Sequence, residues 1–148
     1  MVVALMCLRV FLQGQVRSDA DLATLTHGAR QLGAAFQNIN FLRDLSDDTS
    51  RLGRSYLTGS GGLTEADRGA WVAVIRAQLT DADAAIPLLP RDARAAVRSA
   101  RALFGALTDR IATVSIDELY ARRIRVPNPV KAALATAALA KTALESGA

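Results

Sequence analysis

The chain has one cysteine, Cys7, and one histidine, His27, among its 148 residues. A single cysteine excludes an intramolecular disulfide framework and any zinc site built on several cysteines. A single histidine excludes a metal site with two histidine ligands. Cys7 sits in an apolar run, so we expect it to be a small buried hydrophobic residue, and we expect His27 to be structural.

Signals for β-strands and for membrane spans are also scarce. The sequence has no sustained alternating runs and no Asn-Gly turns, whereas alanine and leucine dominate a hydrophobic fraction of 51%, which favours helices. The apolar start, residues 1–12, lacks the basic region and cleavage site of a signal peptide. The apolar stretch 132–140 is too short to span a bilayer. We therefore expect an all-α protein located in the cytoplasm.

Lysine is rare as well, because the net charge of +4 comes from 16 arginines and only two lysines. Such a charge suits phosphates, anionic lipid headgroups or nucleic acid alike. The arginines are scattered over several predicted helices and form no recognisable nucleic-acid-binding module. We therefore expect no nucleic-acid partner.

The pattern of apolar residues, caps and breakers predicts five or six helices in one domain spanning residues 1–148. A cap at Asp19 or Asp21 begins a helix that we predict to run to about Ser50, and Thr64 and Ser115 mark two further helix starts. Glycines at 53–62 predict a flexible loop able to fold over a ligand. The predicted helices are Val2–Gln13, 19–50, 64–85, Arg91–Ile111, 115–124 and a last one that follows Pro127 and Pro129 and ends near Glu145.

One polar stripe in the second predicted helix has the composition of a metal–phosphate site. At about 100° per residue, Gln37, Asn40, Asp44 and Asp48 fall within roughly 80° of one another. Carboxylate and amide oxygens are hard ligands, and Mg²⁺ combines one or two carboxylates with waters and phosphate oxygens. The alternative is an amphipathic surface helix with a solvated polar face, and spacing alone leaves both open.

Three arginines near this stripe, Arg43, Arg51 and Arg54, are candidates to bind phosphate, because a guanidinium offers forked donors.

The residues themselves resemble the second aspartate-rich motif of the squalene/phytoene synthase family. That motif reads N-x-x-R-D-x-x-x-D followed by G-R-x-Y-L, with a glutamine upstream. The matching positions here are Gln37, Asn40, Arg43, Asp44, Asp48, Gly53, Arg54, Tyr56 and Leu57. Residues 3–6 resemble the end of an A-G-x-V-G-L-M helix of the family, and residues 122–131 resemble the closing segment of bacterial phytoene synthases. Two departures are Thr58 in place of a common proline and Phe104 in place of a common tyrosine.

The resemblance implies an architecture and an activity. The fold would be the isoprenoid synthase helical bundle without its N-terminal helices, because residues 1–148 hold no first aspartate-rich motif. The chain would thus be the C-terminal half of a bacterial phytoene synthase, an enzyme that uses Mg²⁺ to condense two geranylgeranyl diphosphates head-to-head to phytoene, via a cyclopropyl diphosphate, in carotenoid biosynthesis. A squalene or dehydrosqualene synthase is the nearest alternative.

The family's site residues carry over position by position. Asp44 and Asp48 would hold the metal, and Tyr56 would be the catalytic residue. The substrate-binding residues would be Gln37, Asn40, Arg43, Arg51 and Arg54.

Several expectations follow for partners. The substrate would be a prenyl diphosphate, and contact with a membrane would be peripheral. With one of two aspartate motifs, the isolated chain should be inactive, and its apolar cavity wall should drive self-association or pairing with a complementary N-terminal half. The competing hypothesis is a non-catalytic helical protein that binds a lipid or a partner. The resemblance implies that Gly33 allows close helix approach or leaves room for a prenyl chain. The alternative is a glycine that is merely tolerated in the packing of the helix.

Overall fold

A computed structural model of the protein describes residues 2–45 and 62–145. These parts of the chain form α-helices and one short 3-10 turn at Ile86–Leu88, with no strand among them. The all-α prediction is therefore confirmed, and the architecture is consistent with the isoprenoid synthase bundle. The helices are α1 (Val2–Phe11), α2 (Asp19–Arg43), α3 (Glu65–Asp83), α4 (Arg91–Thr113), α5 (Ile116–Ala121) and α6 (Asn128–Leu144).

The helix α2 begins one residue earlier and ends sooner than the sequence predicted. Ser18 is its N-cap, with the hydroxyl accepting from the Asp21 backbone N–H at 3.1 Å, and Asp19 and Asp21 lie in the first turn, where acidic side chains are favourable. At the other end Asp44 is the C-cap, and its N–H donates to the Asn40 carbonyl at 3.0 Å. Asp44 therefore lies at the end of α2, and residues 46–50 of the predicted helix lie outside the described residues.

Side-chain caps also begin α3 and α5. Thr64 and Asp67 form a complete capping box at α3. At α5 the Glu118 N–H donates to the Ser115 hydroxyl at 3.2 Å, but the Glu118 carboxylate pairs with Arg122. Only half of a capping box forms there, and α5 ends at Ala121, short of the predicted residue 124.

The helix α2 lies at the centre, packed against α1, α3 and α4, while α6 packs on α4. The main core lies between α2, α3, α4 and α5, and its largest fully buried side chains are Ile39, Leu42, Ile75, Ile111 and Leu119. Trp71 and Phe104 pack against this core. The Phe104 ring stacks on Phe36 with 3.8 Å between the ring centroids.

A second, smaller cluster joins α1 to α2 and to the segment after α3. It consists of Leu8, Leu25, Ala85 and Leu89. Gly28 allows the close approach at this point, because a Cβ added to it would lie 2.3 Å from the Ala85 Cβ. His27 lies one residue away but is exposed, with Nε2 3.5 Å from an Asp81 carboxylate oxygen on α3.

A polar contact fastens α6 to α4. Arg98 is buried, and it donates to the Thr142 hydroxyl at 2.9 Å and to the Glu145 carboxylate at 2.5 Å. The outward side of α6 exposes Leu139 and Leu144, and α1 likewise exposes several large apolar side chains. An exposed apolar surface was expected, whereas self-association through it stays a prediction.

Within residues 2–45 and 62–145 no helix combines the length and hydropathy needed to cross a membrane.

Candidate functional site

An apolar cleft of about 530 Å³ opens between α1, α2, α4 and the segment that follows α3. Its walls consist mainly of aliphatic, alanine and aromatic side chains contributed by these elements. Residues from α1 and α2 include Val3, Leu8, Phe11, Leu25, Leu32 and Phe36, and the facing wall includes Ala82, Ala85, Ile86, Leu89, Ala96 and Val97. Such a cleft suits a hydrocarbon ligand, because burying apolar surface drives its binding.

Three small residues of the cleft bear on the sequence predictions. Cys7 lines the cleft and is exposed, so the prediction of a buried cysteine is wrong. The reason is that α1 turns the side with Leu8 onto α2, which leaves Cys7 at the open side. Gly33 also lines the cleft, which favours the interpretation that it leaves room for a ligand. Gly28 both lines the cleft and permits the close approach to Ala85.

The cleft becomes polar at one end, where Gln37 and Asn40 line it from consecutive turns of α2. The Asn40 Oδ1 atom is buried and has no hydrogen-bond partner among the described residues. Buried acceptors are nearly always satisfied, so this oxygen is available to a ligand or a cation. Both residues lie where the predicted stripe placed them, and Asp44 follows one helical turn further on.

Asp44 is held by two arginines. Arg43 donates from Nε to Oδ1 at 2.9 Å and from its second terminal nitrogen to Oδ2 at 3.1 Å. Arg123 approaches from the segment between α5 and α6, with its Nε 2.9 Å from the same Oδ1. The Arg43 hydrogen bonds lower the pKa of Asp44 below its ordinary value, partial burial opposes this, and the charges of Arg43 and Arg123 reinforce it. Asp44 is therefore ionised at neutral pH.

A second cleft, of about 240 Å³, lies beside this carboxylate and is strongly basic. Arg43, Arg123, Arg125 and Lys131 line it above a floor of aliphatic side chains. Lys131 belongs to the first turn of α6, which carries no acidic residue and no side-chain cap. The four cationic side chains make this cleft suited to phosphate.

Sequence reasoning did not select Arg123, although a signal was present. Residues 123–126 read Arg-Ile-Arg-Val, and the structure buries Ile124 and Val126 in the core. In an extended segment alternate side chains point to opposite sides, so Arg123 and Arg125 share the other side. The run is only four residues long, too short to stand out as an alternating pattern.

The other predicted site residues, Asp48, Arg51, Arg54 and Tyr56, lie outside the described residues, as does the predicted loop up to Gly61.

Comparison with known proteins shows a match at the N-terminal part of the chain. Residues 1–61 match the family model described as squalene/phytoene synthase. The match supports a family-level similarity of this part of the chain to squalene/phytoene synthases. No curated protein and no solved structure gave a match. Members of the family are prenyltransferases that bind prenyl diphosphates and typically use a divalent metal. The match includes α1, α2 and every residue of the predicted site, whereas Arg123 lies beyond it.

The donor set around Asn40 and Asp44 fits a magnesium ion in part. Asp44 offers a carboxylate and Asn40 an unsatisfied amide oxygen, and both are the hard ligands that Mg²⁺ prefers. Among the described residues no group of three or more histidine, cysteine, aspartate or glutamate side chains is placed to hold a metal. A magnesium ion would therefore depend here on few protein ligands and on phosphate oxygens, as is usual for this ion.

Proposed function

We propose that this chain is the diphosphate-binding half of a phytoene synthase-like prenyltransferase. The single observation that supports this most strongly is the apolar cleft that ends at Gln37 and Asn40, one helical turn before Asp44. An isoprenoid diphosphate has the same arrangement, a long hydrocarbon joined to a compact polyanion.

The apolar cleft would receive the prenyl chain. Its volume of about 530 Å³ lies within the usual range of roughly 300–1,000 Å³ for small-molecule sites. Apart from Gln37 and Asn40, its lining offers almost only apolar side chains, so affinity there would come from burial and not from hydrogen bonds. The substrate that we infer is geranylgeranyl diphosphate.

Asp44, Asp48 and the neighbouring amides would hold the diphosphate through Mg²⁺, which stabilises charge on a departing diphosphate when it is bound. Arg43 adds hydrogen-bond donors from the same helical turn as Asp44. Arg123 and Arg125 line the same basic cleft as Arg43. Fixed cations aimed at a leaving group stabilise the charge that develops as the carbon–oxygen bond breaks. Arg51, Arg54 and Tyr56 are proposed to contribute in the roles that the motif implies.

Condensation needs a second diphosphate and, in the family pattern, a second aspartate-rich helix facing α2. We propose that this chain supplies one of the two, and that alone it binds but does not condense. Phytoene as the product, rather than squalene or dehydrosqualene, is supported by the closing segment that contains Arg123 and Lys131.

The alternative function is non-catalytic binding of a lipid or a partner protein. It is favoured by one observation: Arg43 and Arg123 already occupy both oxygens of Asp44, and this leaves the apolar cleft as the ready binding surface.

Calorimetric titration with geranylgeranyl thiodiphosphate, a non-ionising analogue, separates the two functions. We expect binding that requires Mg²⁺ and that is lost in the double variant Asp44→Asn/Asp48→Asn. The double variant Asp109→Asn/Asp117→Asn removes the same charge from exposed positions of α4 and α5 and should bind as the wild type does. Binding that is indifferent to Mg²⁺ and to Asp44 would support the non-catalytic function instead.

An assay for condensation with geranylgeranyl diphosphate tests the other part of the proposal. We expect no turnover by the isolated chain, and turnover would show that it is not a half-site.

A further inference from the structure

Arg123 reaches Asp44 because the segment that follows it is anchored in the core. Between α5 and α6 the chain is extended, and Ile124 and Val126 are buried in the main core. This anchoring fixes the backbone next to Arg123, whose side chain then lies beside the C-terminus of α2. The Nε atom is 2.9 Å from Asp44 Oδ1. The contact therefore joins the segment between α5 and α6 to the C-terminus of α2.

The contact uses the same oxygens that a divalent cation would need. Arg43 donates to both carboxylate oxygens of Asp44, and Arg123 adds a second donor on Oδ1. Charge-assisted hydrogen bonds of this kind are about twice as strong as neutral ones. A cation that approaches Asp44 competes with these hydrogen bonds and also meets the repulsion of both guanidinium groups.

We propose that Arg123 is a positioning residue that keeps Asp44 engaged, so that a divalent cation binds Asp44 only in competition with Arg123. The inference rests on the proposed function, in which Asp44 is a metal ligand. Its consequence is that free metal binds poorly, whereas a metal–diphosphate complex binds well, because the diphosphate offers Arg123 a replacement anion. Metal and substrate would then arrive together.

The structure supplies a matched control in Arg125. It carries the same charge, lines the same basic cleft and lies on the same side of the extended segment. Among the described residues no hydrogen bond or ion pair joins it to Asp44. Replacing either arginine by glutamine removes one positive charge and leaves a shorter, uncharged polar side chain. Only Arg123→Gln removes the contact to Asp44.

The test is a titration with Mn²⁺ alone, in which electron paramagnetic resonance measures the unbound ion. The side chains of Arg123 and Asp44 are 39% and 32% exposed, so the pair is partly screened. We expect Arg123→Gln to bind Mn²⁺ about threefold more tightly than wild type, as for an exposed ion pair. Arg125→Gln should change the affinity by less than about 1.5-fold at physiological salt. The gain should vanish in Arg123→Gln/Asp44→Asn.

A merely structural Arg123 would leave metal affinity unchanged or reduce it when replaced, so a gain in affinity supports the proposal. It is overturned if Arg123→Gln binds Mn²⁺ no more tightly than wild type, including the case in which neither binds, or if Arg125→Gln gains as much. Failure of the proposed function would show in a different measurement, the titration with the thiodiphosphate analogue. In that case wild type would bind the thiodiphosphate analogue without any need for Mg²⁺.

Discussion

Replacing Gly28 with alanine tests how closely α2 approaches the segment after α3. The new Cβ would lie 2.3 Å from the Ala85 Cβ and 3.6 Å from the Ala82 carbonyl oxygen. Carbon atoms in contact prefer roughly 3.5–4.0 Å. The two elements must therefore separate by more than an ångström, or the small cluster around Leu8 and Leu25 must repack.

Two opposing contributions set the expected change in the free energy of unfolding. Alanine is better than glycine inside a helix by about 1 kcal/mol. Overpacking a filled site costs about 1–3 kcal/mol, and a 2.3 Å approach between two Cβ atoms belongs in the upper half of that range. We expect Gly28→Ala to lose about 1 kcal/mol net.

Gly69 is the matched control, because it is an exposed helical glycine on α3 and a Cβ there would meet nothing within 4 Å. Gly69→Ala should therefore gain up to about 1 kcal/mol. The two variants should differ by about 2 kcal/mol, which urea denaturation followed by circular dichroism resolves. The pair Gly28→Ala/Ala85→Gly should recover part of the loss as a coupling energy.

The reasoning would be refuted if Gly28→Ala stabilised the chain as much as Gly69→Ala does. It would also fail if Ala85→Gly brought no recovery.

Three further predictions concern α6 and the surface. Thr142→Val leaves a buried Arg98 donor without its acceptor and should lower the free energy of unfolding by about 1–3 kcal/mol. Thr136→Val removes only a hydrogen bond within the same helix, on its exposed side, and should change the free energy of unfolding little. Denaturant titration compares the two variants. The Arg98 hydrogen bond lowers the pKa of Glu145 below its ordinary 4.5, so the stability from this contact is present above pH 4.5 and is lost as pH falls through the lowered pKa. Hydrogen exchange should show α6 opening first in acid, and equal loss of protection in all helices would contradict this. The exposed apolar sides of α1 and α6 predict concentration-dependent association in sedimentation velocity, and a monomer at every concentration would contradict it.

Local rules account for most of what could be predicted from sequence. The predicted helix starts at Thr64 and Ser115 follow from short side chains that satisfy free amides within three residues. The same rule applies to α2, but its cap is Ser18 and not the predicted Asp19 or Asp21. Gln37 and Asn40 share a cleft because helical spacing alone places them on one side of α2. These features depend on residues that are neighbours in sequence, so they can be predicted without knowledge of the tertiary structure.

The features that were missed depend on tertiary contacts. Nothing near Cys7 shows that α1 leaves one side open, since this is decided by what packs against Leu8. The helix α2 ends at Arg43, next to the contact between Asp44 and Arg123. The position of Arg123 depends in turn on the burial of Ile124 and Val126. Spacing within α2 could not reveal a partner that lies beyond α5.

The exposure of Cys7 has a practical consequence. It is the only thiol in the chain, and it lies on the wall of the apolar cleft. A maleimide or a spin label attached to unaltered protein therefore reports on that cleft alone, without removal of competing cysteines. A ligand that fills the cleft should slow alkylation of Cys7, whereas a ligand bound only at the basic cleft should leave its rate unchanged. The chain thus contains its own single-site reporter of which cleft a ligand occupies.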